Sequence, residues 1–215
     1  MVSIGMKNHS KISRLPTIDE ENFYSSIHQA ITEGRHVDYL RGVIDDYEWY
    51  KQKFQQVFTG EHSPHGIYAF RVNYLLKKSV WREFELIGKN TFSDFAEAII
   101  DSMGWDNDHA HGFSLTGRER KSTIGDGHHV DAMMFTPGWD DDPFPVYKTD
   151  QVLICQIDYQ KAPTLDFIFD FGDGHRFMII FKKQDETTKR KRKNFFPHLI
   201  DQRGIDPEQY PEVGK

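Results

Sequence analysis

One cysteine in 215 residues, Cys155, is too few for an internal disulfide or a multi-cysteine zinc site. Its place within the apolar run 152–157 suits a small buried hydrophobe and points to a reducing compartment. Long apolar runs are missing as well. Nothing approaches the roughly 20 residues that span a bilayer, and the opening MVSIGMKNHSKISR has no apolar stretch of signal-peptide length. The expectation is a soluble, cytoplasmic protein without a membrane partner. Basic excess is absent too: 27 Lys and Arg stand against 33 Asp and Glu, a formal net charge of -6, so the molecule as a whole is no polyanion binder. There is no internal repeat and no low-complexity segment.

What is present reads as helices followed by strands. Residues 1–15 are polar and aperiodic. Thr17 and Glu20 stand at capping-box spacing, and Phe23, Tyr24, Ile27, Ala30 and Ile31 recur on one helical face up to Gly34. A second helix is expected over about 37–58, with an aromatic-rich stripe of Leu40, Val43, Ile44, Tyr47, Tyr50, Phe54, Val57 and Phe58. The stripe fits either packing on the main domain or a partner surface. The segment 61–66, EHSPHG, reads as a linker, which divides the chain into a separable helical N-terminal extension, 1–63, and a main domain, 64–215.

Alternation starts at Ile67. Tyr68, Phe70, Val72, Tyr74 and Leu76 share a face, and the run 80–87 sets Phe84 and Leu86 opposite Glu83 and Glu85, which predicts two paired strands. Thr91 with Asp94 opens a helix whose Phe92, Phe95, Ile99 and Met103 would cover the sheet, with Gly104 as its stop. The segment 118–148, broken by glycine and proline, reads as a long insertion with a solvated acidic run at 140–142. Thr149 opens either a short helix or a strand over Val152, Leu153 and Ile157. The apolar runs around Asp173-Gly174 predict a hairpin with φ > 0 at both turn positions, inside a sheet covered on both faces. Asp206-Pro207-Glu208 has the form of a helix start.

Two stretches carry chemistry. Around GWDNDHAHGFSL, an extended chain would put His109, His111 and Phe113 on one side, and Asp106 or Asp108 could add an oxygen ligand. Asp170, Asp173 and His175 at the hairpin turn could join His109 and His111 as one polar site suited to a divalent cation such as zinc or manganese. The competing reading is turn chemistry, with Asp173 as the left-handed turn residue and Asp170 bonding neighbouring amides. The second stretch is the basic run Lys189, Arg190, Lys191, Arg192 and Lys193, beside Phe195 and Phe196, which could grip phosphates while a ring stacks on a base.

Together Val80-Trp81-Arg82, Thr91-Phe92 through Asp94, Gly104-Trp105-Asp106 with Asp108, His109 and Phe113, and Asp170-Phe171-Gly172-Asp173 resemble the plasmid pRiA4b ORF-3-like family, also described as passenger proteins of insertion elements. The resemblance covers about residues 67–181. It implies an α+β domain with a mixed, mainly antiparallel sheet and packed helices, here preceded by the helical extension, and it implies no established activity. Members usually carry Trp and then His after the Asp-Phe-Gly-Asp turn, where this chain has His175 and Phe177. Many also have a cysteine-bearing C-terminal segment, replaced here by a cysteine-free one, so no thiolate metal site forms there.

Two enzyme readings fail on their own chemistry. Asp170-Phe171-Gly172 spells a kinase magnesium motif, but no glycine-rich phosphate loop and no His-Arg-Asp catalytic loop accompany it. A resolvase would need a strand-borne serine nucleophile and a helix-turn-helix, and neither is recognisable. Three functions remain, in order: a non-catalytic interaction module with a protein partner, a nucleic-acid accessory factor, and a metal-dependent hydrolase.

Overall fold

The computed structural model describes residues 15–18, 20–59, 64–115, 134–135, 145–185 and 197–210. Two helices come first, α1 (Phe23–Thr32) and α2 (Val37–Val57), then strands β1 (Ile67–Tyr74) and β2 (Trp81–Ile87), helix α3 (Phe92–Ser102), strands β3 (His111–Leu115) and β4 (Met134–Phe135), a 3-10 turn (Ile154–Gln156), and strands β5 (Thr164–Phe169), β6 (His175–Asp185) and β7 (His198–Arg203). The fold is α+β. Its seven-stranded sheet has the order β4-β3-β5-β6-β1-β2-β7. Every pairing among the described residues is antiparallel. No helix among them is long and apolar enough to cross a membrane.

One face of the sheet is the core. Pairing sets Phe70 beside Phe84 and Phe181, and Phe167 beside Phe113 and Phe177, so an aromatic layer runs across the strands. Helix α3 covers that layer. Phe95 packs 5.2 Å from Phe70 and 5.8 Å from Phe84, and Phe92 lies 5.0 Å from Phe113. The helix is placed by the expected capping box, in which Asp94 N–H donates to the Thr91 hydroxyl and Thr91 N–H to the Asp94 carboxylate. The rest of the cover is 145–159, where Tyr159 stacks 4.6 Å from Phe181.

Several local expectations are corrected. The hairpin is central in the sheet, but only alternate residues of β5 are buried and Asp166 and Ile168 are half-exposed, so a single face is sealed. Its turn is longer than two residues: Phe169 pairs with His175, and Asp170 and Gly174, rather than Asp173 and Gly174, adopt positive φ (54° and 68°). Thr17 and Glu20 form no capping box. Helix α1 starts after Asn22, while the Glu20 carboxylate accepts from the Tyr47 hydroxyl at 2.6 Å and Lys51 Nζ at 2.8 Å. Leu76, expected on the apolar face of β1, lies beyond the strand and is 65% exposed. Thr149 opens neither of the two elements considered. Leu153 bridges to Thr91 and Ile157 to Phe58, around the 3-10 turn. Asp206-Pro207-Glu208 starts no helix; the C-terminal part instead supplies β7, which extends the sheet beside β2.

The aromatic stripe of α2 is buried as a packing surface. Tyr50 and Phe54 lie 5.7 and 5.6 Å from Tyr147, Phe58 lies 4.8 Å from it, and the Tyr50 hydroxyl accepts from Tyr147 N–H. Backbone bonds from Asp158 to Val57 and from Thr59 to Gln156 close the seam. Expressing 64–215 alone tests the boundary drawn at 63/64. Removal of α2 uncovers Tyr147 and strands these backbone groups, so the fragment is expected to lose at least about 3 kcal/mol in a denaturant titration. Full stability in the fragment would establish the extension as a separable unit.

Candidate functional site

One end of the sheet gathers the residues that the sequence singles out. Strands β1, β5 and β7 finish there and β2, β3 and β6 begin there, as the pairs Asn73 with Trp81, Trp81 with Arg203, Phe169 with His175, and His111 with Phe169 require. Four connecting stretches meet at this end: 75–80, 103–110, 170–174 and 204–210. His111, Phe169 and His175 form a row across β3, β5 and β6 on the core face.

Each polar member has a local task. Asp170 holds a left-handed backbone, and its Oδ1 accepts from the amides of Gly172 at 2.9 Å and Asp173 at 3.2 Å, while its carbonyl accepts from Gly174 N–H. Its Oδ2 faces His109 Nε2 at 3.3 Å. Asp170, not Asp173, is therefore the left-handed turn residue. Asp173 is exposed. His109 lies before the strand, with a half-exposed side chain, so it does not share the face of His111 and Phe113. His111 is buried, with Nε2 3.2 Å from the Thr149 hydroxyl. His175 is also buried: a carbonyl can only accept, so Nε2 donates to Gln209 O at 2.8 Å and Nδ1 accepts from the Tyr74 hydroxyl at 3.0 Å.

The structure thus brings His109 and Asp170 into contact and sets His111 and His175 on either side of Phe169. It does not converge them: among the described residues no three His, Cys, Asp or Glu side chains could hold a metal ion together. The basic run 189–193 lies outside the described residues.

Sequence reasoning passed over the group that ties this end together. Arg82 has no solvent exposure, and its guanidinium donates to the carbonyls of Ser102, Trp81 and Arg203 and pairs with the Asp206 carboxylate. The signal was present, because Arg82 sits two residues before Phe84 on the apolar face of an alternating strand. The segment 204–210, read from the sequence as turns and a helix start, is a second such tie. At Gly204 (φ 92°) a Cβ would stand 2.7 Å from Ser79 O, so only glycine lets the chain leave β7 against the β1–β2 connection. Beyond it Trp105 Nε1 donates to Pro207 O at 2.7 Å, and the Gln209 amide bonds both Asp106 N–H and Asp106 O. The Tyr210 hydroxyl donates to Asp108, and this bond holds the Asp108 carboxyl below its ordinary range. Desolvation, that same bond and the nearby charges of Asp108, Asp170 and Asp173 push the Tyr210 phenol up to about 12.

Residues 67–212 match the family described as plasmid pRiA4b ORF-3-like protein. The chain belongs to that family. Of the stretches that carry the resemblance in the sequence, those with Arg82, Trp105 and Asp170 fall on the end just described, where these groups hold the connections. The fold is similar to the crystal structure of a protein of unknown function from Methanosarcina mazei Go1, at 17% identity over 66% of this chain and 71% of that one, with a TM-score of 0.50. No curated protein matches the chain.

Burial alone lowers the His111 imidazole to about 4. The unfolded chain takes up this proton near pH 6.5, so the contribution of His111 to stability is complete above that pH and is lost progressively as pH falls toward 4. The loss should be about 3 kcal/mol over that window. Denaturation of wild type and His111→Gln at pH 7 and pH 4 checks this: the decline should be smaller in the variant by that amount. Equal declines would contradict it.

Proposed function

We propose that the protein is a non-catalytic interaction module that binds another polypeptide through the loop end of its sheet. The observation that carries this reading is where apolar surface is left uncovered. Of the eight large hydrophobic side chains exposed among the described residues, Leu75, Leu76, Phe171, Ile205 and Tyr210 all sit on the connections at that end. The His111 imidazole and the Asp170 carboxylate there are engaged in holding a neighbouring segment and a turn, which is what a rigid binding scaffold requires.

Charge favours a protein over a nucleic acid at this end. The stretches 104–110, 170–174 and 205–210 contain Asp106, Asp108, Asp170, Asp173, Asp206 and Glu208 and no Lys or Arg. Such a rim repels phosphate. Only Lys77 and Lys78, on the β1–β2 connection, have the opposite sign within the four stretches.

Site-specific photo-crosslinking in the cell of origin tests the reading. A benzophenone side chain at 76 or at 171 should capture the same polypeptide, and one at the α2 position 39 should not. Asp in place of both Leu76 and Phe171 should reduce capture from position 210 at least about tenfold, with stability changed by no more than about 0.5 kcal/mol. Capture independent of position, or no capture at either loop position, would refute the proposal.

A further inference from the structure

The segment 205–210 sits on the molecule as a bound peptide would. It has neither helix nor strand, and half-buried Pro207 and Gln209 alternate with exposed Asp206, Glu208 and Tyr210, as in an extended chain laid along a groove. Its hydrogen bonds to the rest of the described chain include many to side chains. Trp105 Nε1 and His175 Nε2 donate to the Pro207 and Gln209 carbonyls, and the Arg82 guanidinium meets the Asp206 carboxylate. The Gln209 amide adds a two-way bond with the backbone of Asp106.

Beneath the segment lies an aromatic floor. The Trp105 ring is 4.2 Å from His175, 5.9 Å from Tyr74 and 6.1 Å from Phe169. These rings face other rings, so the donors among them that point outward are free to read main-chain carbonyls. A fixed donor aimed at a carbonyl recognises any extended chain, whereas the Arg82 guanidinium selects a carboxylate three residues ahead of the carbonyl that His175 reads. Gly204 is the joint at which the segment leaves β7.

We infer that the groove of Arg82, Trp105 and His175 is a peptide-binding groove occupied in cis by 205–210, and that its partner is an extended segment of another protein carrying the Asp-Pro-x-Gln pattern. The inference rests on the interaction-module reading and names the ligand of that same end. Binding of the partner displaces the cis segment, so the observed affinity is reduced by the fraction of time the groove is closed.

The test uses the full chain with Asp206→Asn and Gln209→Ala, which weaken the cis segment without touching the groove. A labelled synthetic peptide of residues 203–210 is followed by fluorescence anisotropy, with a scrambled peptide as control, while hydrogen exchange monitors β1, β5 and β6. The peptide should bind the variant at least about tenfold more tightly than wild type, with amides of 204–210 exchanging faster and the three strands as protected as before. Absence of binding with the strands intact overturns the inference, as does loss of strand protection, which would make the segment part of the core. A variant that instead dimerises by exchanging 204–210 overturns the assignment of a different protein as partner. In each of these cases persistent crosslinks at 76 and 171 would leave the interaction module standing and remove only its peptide groove.

Discussion

A buried guanidinium is the constraint on which the rest of the architecture depends. Arg82 is wholly removed from solvent, and an isolated charge in such a place is far too costly to persist. It persists because four groups from four parts of the chain converge on it: the carbonyl of Ser102 at the end of α3, its neighbour Trp81 on β2, Arg203 at the end of β7, and the Asp206 carboxylate beyond. Satisfying one charge fixes where the covering helix stops, where the edge strand stops and where the following segment turns back. The carbonyls matter beside the carboxylate, since Asp206 is more than half exposed and can be solvated without its partner.

Around that anchor the loop end is assembled from groups that complete one another. Trp105, delivered by the end of α3, reads a carbonyl of the C-terminal segment; His175, delivered by β6, reads another; Asp170 folds the β5–β6 turn and faces His109. The end therefore combines a hydrogen-bonded polar framework with exposed apolar side chains set among acidic ones. That division suits recognition, in which a preorganised surface loses little freedom on binding.

Legibility in the sequence followed the range of the deciding interaction. Local signals survived: the Thr91 and Asp94 capping box formed as spaced, and the alternation of Tyr68, Phe70, Val72 and Tyr74 is the buried face of β1. Signals opposed by distant partners did not. The Thr17 and Glu20 pair lost to Lys51 and Tyr47, which claim the Glu20 carboxylate from α2. Asp206-Pro207-Glu208 lost to Arg82 and Trp105, from strands and helices more than a hundred residues earlier. Strand β7 was hidden because HLIDQR has no apolar face to betray it; it is an edge strand, mostly exposed, held by its ladder to β2. Of the two readings offered for Asp170, its bonds to the Gly172 and Asp173 amides match the turn-chemistry one, whereas Arg82 was noticed only as part of a motif, though an arginine on the apolar face of a strand is itself a sign of a buried anchor.

That Arg82 holds this end together is tested most directly by equilibrium denaturation of Arg82→Met, which keeps an unbranched apolar stem and removes the guanidinium with its donors. Three partly buried carbonyls would lose this donor and the Asp206 carboxylate its partner, so the variant is predicted to lose at least about 3 kcal/mol. A variant as stable as wild type would show that the guanidinium is incidental and that packing alone sets the loop end.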